Sequence, residues 1–249
     1  MTTALVLAGT RPGGDPLAQE MGLEHKALIE IGGVPLLASI LVALRDAGAD
    51  RVVVSCNAEP VADLARELGA QVIAAEAGPS ASVMAAFDKI GAPMIVTTSD
   101  HALLQPDWVR ELVTRTPADA DLSVMMAERG TVESAVPETT RTYWRFADGQ
   151  WSGCNLFYLK TPAARRAIET WSMVESHRKQ PWRIAAKLGI GTLASMAVGR
   201  LTLAEGLARL GKRIGITAAL VPASDGLAAI DVDKREDLDL VTRLAAKDV

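Results

Sequence analysis

The sequence has few of the features that mark secreted, membrane-spanning or nucleic-acid-binding proteins. Only two of its 249 residues are cysteines, Cys56 and Cys154, which is too few for a disulfide framework, so we expect a reduced, cytoplasmic protein. The net charge of −4 argues against a nucleic acid as partner, because proteins that bind it usually carry a basic surface. The weakly polar stretch 188–198 is far shorter than the roughly 20 residues of a spanning helix. At most it could contact a membrane surface or a membrane enzyme.

Aromatic residues are also scarce, at 4%, whereas hydrophobic residues make up 49% of the chain. This length and apolar content suit one large α/β domain whose core is mainly aliphatic. The tryptophans are unevenly placed, and four of the five lie between Trp144 and Trp182. The aromatic side chains are therefore concentrated in the second half of the chain.

Apolar strands alternate with helices through the first half. Strands are expected at Ala4–Ala8, Arg51–Cys56, Gln71–Ala74, Met94–Thr98 and Leu122–Ala127, and helices at 35–46, 59–68, 82–89 and 106–115. This alternation predicts a mostly parallel sheet with helices on both faces. Ligands bind to such sheets at the carboxyl ends of the strands.

The alternation changes near Gly130. A β-hairpin with an Asp148-Gly149 turn is expected there, followed by a strand at Asn155–Leu159 and helices at 162–175 and 202–210. The chain should then return to the sheet with a strand at Ala229–Asp233 and a closing helix at 236–246.

A glycine-rich loop follows the first strand. Glycines such as Gly9 and Gly13 let main-chain N–H groups approach phosphate oxygens without a Cβ between them. Arg11 and Lys26 could then offset the phosphate charge. Neither G-x-x-x-x-G-K-[ST] nor G-x-G-x-x-G is present, so the segment 12–16 could equally be a surface turn.

Three aspartates are candidate metal ligands. Asp100 follows the buried strand Met94–Thr98 and Ser99, and its carboxylate suits Mg²⁺, which prefers oxygen ligands. Asp231 and Asp233 are two residues apart in an expected strand and so would face the same side. Either could share the ion with Asp100. The alternatives are that Asp100 and Asp233 cap or order neighbouring helices.

Two further segments are candidate binding loops. Gly78, Ser80 and Ser82 follow a strand and open a helix, where they could contact a nucleotide base or simply cap the helix. Gly153 and Asn155 lie at the start of a strand and could bind hydroxyl groups or phosphate of a second substrate.

The chain resembles nucleotidyltransferases with a MobA-like NTP-transferase domain. The resemblance rests on six motifs in this order: Leu-Ala-Gly-x-Arg, Lys26, Gly-Pro-Ser-Ala-Ser, Asp100, Gly-x-Asn and Asp231-Val-Asp233. Nucleotidyltransferases of this type include molybdenum-cofactor guanylyltransferases and the cytidylyl- and uridylyltransferases of sugar and polyol phosphates. The resemblance implies a Rossmann-like, three-layer α/β sandwich of the glycosyltransferase-A type, with an inserted substrate-binding subdomain.

The resemblance also implies roles for residues. Arg11, Lys26 and Asp100 would be catalytic, Asp100, Asp231 and Asp233 would supply the Mg²⁺ ligands, and Gly153 and Asn155 would bind the acceptor. The implied nucleotide-binding set is Leu7, Ala8, Gly9, Arg11, Gly13, Lys26, Gly78, Ser80, Ser82, Ser99 and Asp100. One departure concerns Arg11, which follows Gly9 by only two positions and need not replace the family's arginine.

The expected reaction is Mg²⁺-dependent transfer of a nucleotidyl group from an NTP, with CTP slightly favoured, to a sugar or polyol phosphate, with release of pyrophosphate. Within one domain of 249 residues, 1–129 would bind the NTP, 130–225 the acceptor, and 226–249 would close the sheet. Three alternatives stay open: a molybdenum-cofactor guanylyltransferase, a glycosyltransferase using a nucleotide sugar, and a non-catalytic nucleotide-binding protein. The sequence also leaves a homodimer open.

Overall fold

The first half of the chain forms alternating strands and helices, as predicted. The computed structural model describes residues 1–10, 13–139, 141–177, 191, 194–195 and 200–246. The elements up to residue 135 are β1 (Thr3–Ala8), α1 (Pro16–Glu20), β2 (Glu30–Ile31), β3 (Val34–Pro35), α2 (Leu36–Asp46), β4 (Arg51–Cys56), α3 (Glu59–Glu67), β5 (Gln71–Ala74), α4 (Pro79–Ile90), β6 (Met94–Thr98), α5 (Pro106–Arg115), β7 (Leu122–Glu128) and α6 (Arg129–Ala135).

The second half adds one strand inside the same sheet, one at its edge and a short strand that pairs with the inner one. Its elements are β8 (Trp144–Phe146), β9 (Gly149–Leu159), α7 (Arg165–Ser176), α8 (Leu203–Ile214), β10 (Ala218–Pro222) and α9 (Arg235–Ala245). The strand order is β10-β7-β9-β6-β1-β4-β5, with β8 beside β9. β9 runs antiparallel to both neighbours, and the other pairs along this path are parallel. The predicted α/β class with a mostly parallel sheet is confirmed.

Apolar clusters cover both faces of the sheet. Leu5 of β1 belongs to a cluster that contains Phe87 of α4 and Ile168 of α7. Its neighbour Val6 belongs to the larger cluster on the opposite face, which contains Ile40 of α2. Successive residues of a strand point to opposite faces, so β1 must be apolar throughout. The result is a three-layer sandwich in which the carboxyl ends of β1, β4, β5 and β6 share one edge.

The strand predicted at Ala229–Asp233 is wrong. Gly226–Ala229 form a 3₁₀ turn, which starts where the Asp225 side chain accepts a hydrogen bond from Leu227 N at 2.9 Å. The following residues form no regular element, and Val232 N donates to Asp100 O at 3.0 Å. The segment therefore packs against the loop after β6. The sheet edge is instead formed by β10, which the sequence analysis missed.

The predicted strand at Asn155–Leu159 begins six residues earlier, at Gly149. Its pairing with β7 shifts register between Val124 and Met126, and Asn155 adopts a φ of 48°. A bulge of this kind turns a side chain out of the regular alternation. The structure thus keeps one long strand but redirects Asn155.

Two predictions concern residues that the structure does not describe. Arg11 lies outside the described residues, and of the stretch 188–198 only 191, 194 and 195 are described. Within the described part of the chain, no helix has the length and apolar character needed to cross a membrane.

Candidate active site

The loop after β1 begins where three strand ends meet. A Cβ on Gly9 would lie 3.1 Å from the Ala75 Cβ, just beyond β5. Asn57, which follows β4, holds both main-chain groups of Thr10: its Oδ1 accepts from Thr10 N at 2.9 Å, and its Nδ2 donates to Thr10 O at 3.3 Å. Ser99 N, beyond β6, donates to Leu7 O at 3.0 Å. The main chain of residues 7–10 is therefore fixed at the edge formed by the carboxyl ends of these strands, and Ala8 is buried.

The glycine-rich part of the loop ends in a capped helix. Gly13 has a φ of 98°, a left-handed conformation that glycine adopts without steric cost. Asp15 then caps α1, because its Oδ1 accepts a hydrogen bond from Ala18 N at 3.0 Å. The sequence analysis did not predict α1, although Asp15-Pro16 is a typical helix start.

Lys26 joins two parts of the chain that are far apart in sequence. It begins the 3₁₀ turn Lys26–Leu28, where Nδ1 of buried His25 accepts a hydrogen bond from Ala27 N. Its Nζ lies 2.6 Å from Asp100 Oδ2 and 2.9 Å from Asp233 Oδ1. Asp15 Oδ2 is 3.9 Å away. Three carboxylates thus surround one ammonium group.

Burial and charge act in opposite directions on this cluster. Burial alone would lower the pKa of Lys26, but the charges of Asp100 and Asp233 outweigh it and hold that pKa above its ordinary value. Burial would likewise raise the pKa of Asp100, but the charge and hydrogen bond of Lys26 and a hydrogen bond from Thr98 lower it. Lys26 and Asp100 are therefore both ionised at neutral pH.

The cluster carries more negative than positive charge among its described members. An anionic triphosphate would be repelled by the surplus carboxylates unless a cation entered with it. Within the described residues, no group of three His, Cys, Asp or Glu side chains is arranged to hold a metal ion. The two carboxylates of Asp100 and Asp233 nevertheless fit Mg²⁺, which commonly uses one or two carboxylates together with substrate phosphates and water.

Asp231 lies in a different environment from Asp233. It is 8% exposed, forms an ion pair with Arg141 Nη1, and accepts a hydrogen bond from Asn155 Nδ2 at 2.9 Å. Burial raises the pKa of Asp231 above its ordinary value, although Arg141 opposes the change. The strand on which the pairing of Asp231 with Asp233 rested is wrong, and the two carboxylates have different partners. Asp231 contacts Arg141 and Asn155, whereas Asp233 contacts Lys26. Sequence reasoning missed Arg141, because no local pattern marks its partner 90 positions away.

The loop before α4 is already engaged in contacts within the chain. Gly78 is the N-cap residue of α4. The Ser80 hydroxyl donates to Glu175 Oε2 of α7 at 2.5 Å, and the Ser82 hydroxyl accepts from Glu76 N at 2.9 Å. The alternative in which Ser80 or Ser82 caps the helix is wrong, because the N-cap is Gly78 and no side chain makes the capping hydrogen bond. Their predicted contact with a nucleotide stays a prediction.

A cavity of about 710 Å³ opens beside the Lys26 cluster. Gly153 and Asn155, the predicted acceptor residues, both line it, and so do Asp231 and Asp233. Its volume is within the usual range for small-molecule sites. The structure therefore brings the predicted acceptor residues and two of the three predicted metal ligands, Asp231 and Asp233, to one cavity.

Comparison with known families agrees with this arrangement. The family model of the MobA-like NTP transferase domain matches residues 4–199, most of the chain. The chain belongs to this family. Membership of the MobA-like NTP transferase family identifies it as a nucleotidyltransferase, an enzyme that binds an NTP.

Solved structures with the same fold include transferases and cytidylyltransferases. A hypothetical transferase from Thermus thermophilus is 28% identical, with a TM-score of 0.80 over 95% of this chain and 99% of that one. CMP:2-keto-3-deoxy-manno-octonic acid synthetase, complexed with CTP, is 17% identical, with a TM-score of 0.61 over 100% and 99% of the two chains. CTP:phosphocholine cytidylyltransferase from Streptococcus pneumoniae is 10% identical, with a TM-score of 0.59 over 98% and 99%. Because the synthetase and the phosphocholine cytidylyltransferase are only 17% and 10% identical, these two comparisons establish only that the fold is similar.

Proposed function

We propose that this MobA-like NTP transferase transfers a nucleotidyl group from an NTP, with CTP favoured, to the phosphate of a small acceptor such as a sugar or polyol phosphate. The observation that carries the proposal is the convergence of Lys26, Asp100 and Asp233 beside the loop after β1 and next to a cavity. The fold shared with a synthetase complexed with CTP and with a cytidylyltransferase supports the preference for CTP. Residues 1–129 would bind the NTP, and 130–225 the acceptor.

The reaction needs positioning more than proton transfer. An oxygen of the acceptor phosphate would attack the α-phosphorus, the new P–O bond would form, and the bond to the bridging oxygen would break to release pyrophosphate. The attacking oxygen is already anionic, so no general base is required. The enzyme's contribution would be alignment of the two substrates and stabilisation of the charge that shifts onto pyrophosphate.

Each residue of the cluster has a role in this proposal. Lys26, which is ionised and 15% exposed, would hold the phosphates of the NTP, and the main chain at Leu7, Ala8 and Gly9 would contact base and ribose. Asp100 and Asp233 would hold Mg²⁺. When bound, this ion supplies charge neutralisation at the transferring phosphoryl group. Arg11, Gly13, Gly78, Ser80, Ser82 and Ser99 complete the proposed nucleotide-binding set.

Two measurements test the proposal in sequence. Thermal unfolding with each of the four NTPs, with and without Mg²⁺, should show the largest stabilisation for one NTP with the ion present, because a ligand that binds the native state raises Tm. Pyrophosphate release should then require both that NTP and a phosphate-ester acceptor. Asp100→Asn should remove this release without unfolding the protein, whereas Asp107→Asn on the exposed start of α5 serves as control. Release of a nucleoside diphosphate from a nucleotide sugar would instead support a glycosyltransferase.

A further inference from the structure

The acceptor cavity and the Lys26 cluster share one residue. Asp233 lines the cavity, and its Oδ1 is 2.9 Å from Lys26 Nζ. Polar side chains of the cavity near this point include Lys234, and Arg141 and Asn155, which both contact Asp231. An acceptor phosphate placed at this polar end would therefore be close to the NTP phosphates that Lys26 is proposed to hold.

The rest of the cavity wall is mostly apolar, although Thr142 and Ser152 also line it. Its apolar part includes Trp144 of β8, Trp151 and Phe157 of β9, Val124 of β7, and Leu203 and Leu207 of α8. The Trp151 indole nitrogen is buried, with no hydrogen-bond partner among the described residues, so this ring presents carbon to the cavity. Trp144 is 62% exposed, which is unusual for a large aromatic side chain.

The apolar wall continues beyond this cavity. Val124 and Phe157 also line a second cavity of about 150 Å³ between the sheet and α7, where Ile168 and Trp171 contribute and every lining side chain is apolar. Phe157 and Trp171 stack with ring centroids 6.3 Å apart. Hydrocarbon surface thus extends from the polar end of the first cavity to the underside of α7.

Such a wall suits a different acceptor from a free sugar phosphate. Hydroxyl groups placed against carbon would lose their hydrogen bonds to water without replacement, whereas hydrocarbon placed there is stabilised by leaving water. Building on the nucleotidyl transfer proposed above, we infer that the acceptor is a phosphomonoester with a substantial hydrocarbon part. Its phosphate would lie at the polar end, and its hydrocarbon part against Trp144, Trp151 and α8.

Chain length provides the first test. Pyrophosphate release is measured with CTP and n-alkyl phosphates of two to twelve carbons, each below its critical micelle concentration. Glycerol 3-phosphate serves as the polar comparison, and phenyl phosphate as the comparison with an aromatic ring. We expect KM for the alkyl phosphates to fall by up to about fourfold per added methylene until the cavity is filled. A KM that is independent of chain length, with glycerol 3-phosphate used best, would overturn the inference and leave nucleotidyl transfer intact. If no NTP yields pyrophosphate with any acceptor, the proposed function and this inference fail together.

A matched pair of variants provides the second test. Leu207→Gln adds a polar group to the cavity wall and should raise KM for decyl phosphate by about tenfold relative to KM for CTP. Leu210→Gln makes the same change on the same helix at a partly buried residue that does not line the cavity, and should leave this ratio unchanged. Binding is followed independently by the fluorescence of Trp144, which should shift to the blue with decyl phosphate and not in Trp144→Phe. Equal effects of the two leucine variants would contradict the inference.

Discussion

Replacement of Lys26 by methionine should show whether the charge of its ammonium group holds the site together. The Lys26 and Asp100 side chains are only 15% and 13% exposed, so solvent screens this ion pair weakly. Asp233 is 65% exposed and can be rehydrated when its partner is lost. Lys26→Met keeps most of the apolar stem but leaves the buried Asp100 carboxylate without its cation.

The expected loss of stability is large at neutral pH. Removing one partner of a buried ion pair costs about 3 to 5 kcal/mol, because the other charge stays buried. We expect the lower end, about 3 kcal/mol, since Thr98 still donates a hydrogen bond to Asp100. For a domain of this size the melting temperature should fall by about 6 to 12 °C. Turnover should fall by about 10²-fold to 10³-fold, which is the usual effect of losing one group that stabilises transition-state charge.

The dependence on pH separates this explanation from a simple packing defect. In the wild type, Lys26 holds the pKa of Asp100 below its ordinary value of 3.8, so the ion pair stabilises the fold above that pH and is lost at lower pH. In the variant, the charge of Lys26 no longer opposes burial and the hydrogen bond from Thr98 remains, so the pKa of Asp100 should rise and Asp100 should take up a proton as the pH falls from 7 towards 4. The stability difference between variant and wild type should therefore shrink over that range.

Urea unfolding of both proteins at pH 7 and pH 4 measures this difference, with Lys89→Met on the exposed face of α4 as control. The control should remain within about 0.5 kcal/mol of the wild type. A stability loss for Lys26→Met that is the same at both pH values would refute the electrostatic explanation. Turnover within threefold of the wild type would refute the proposed role of Lys26.

Two further predictions concern the interior beside this site. Arg141→Met should destabilise the fold by about 3 kcal/mol, because it leaves buried Asp231 unpaired, and adding Asp231→Leu should restore more than half of the loss in urea unfolding. A double variant less stable than Arg141→Met would contradict this. His101 is buried against Trp108, and burial lowers its pKa from 6.5 to about 4. Because the unfolded chain takes up this proton first, the wild type should lose up to about 3 kcal/mol between pH 6.5 and 4. The His101→Gln variant should lose correspondingly less stability over this pH range. If the unfolding free energies of wild type and variant changed equally with pH, the buried imidazole would not be neutral.

The elements of the first half could be predicted because their signals are local. The apolar runs of β1, β4 and β6 are buried on both faces, and glycines or prolines mark many of the helix boundaries. The position of Asp100 at a strand exit follows from the same pattern. The second half was predicted less well, because β10 is short, ends in Pro222, and pairs with β7 rather than with a neighbour in sequence.

The sequence by itself determined which chemical groups would be present: a glycine-rich loop, one lysine, and aspartates at or near strand ends. Tertiary structure alone decided which of these groups meet. Lys26 reaches Asp233 across 207 positions, whereas Asp231, two residues earlier, is paired with Arg141. Tertiary structure also assembled the apolar wall of the cavity from β7, β8, β9 and α8. Local periodicity can place a side chain on a face of a strand or helix, but a charge pair or a cavity depends on distances between segments that only the packed fold sets.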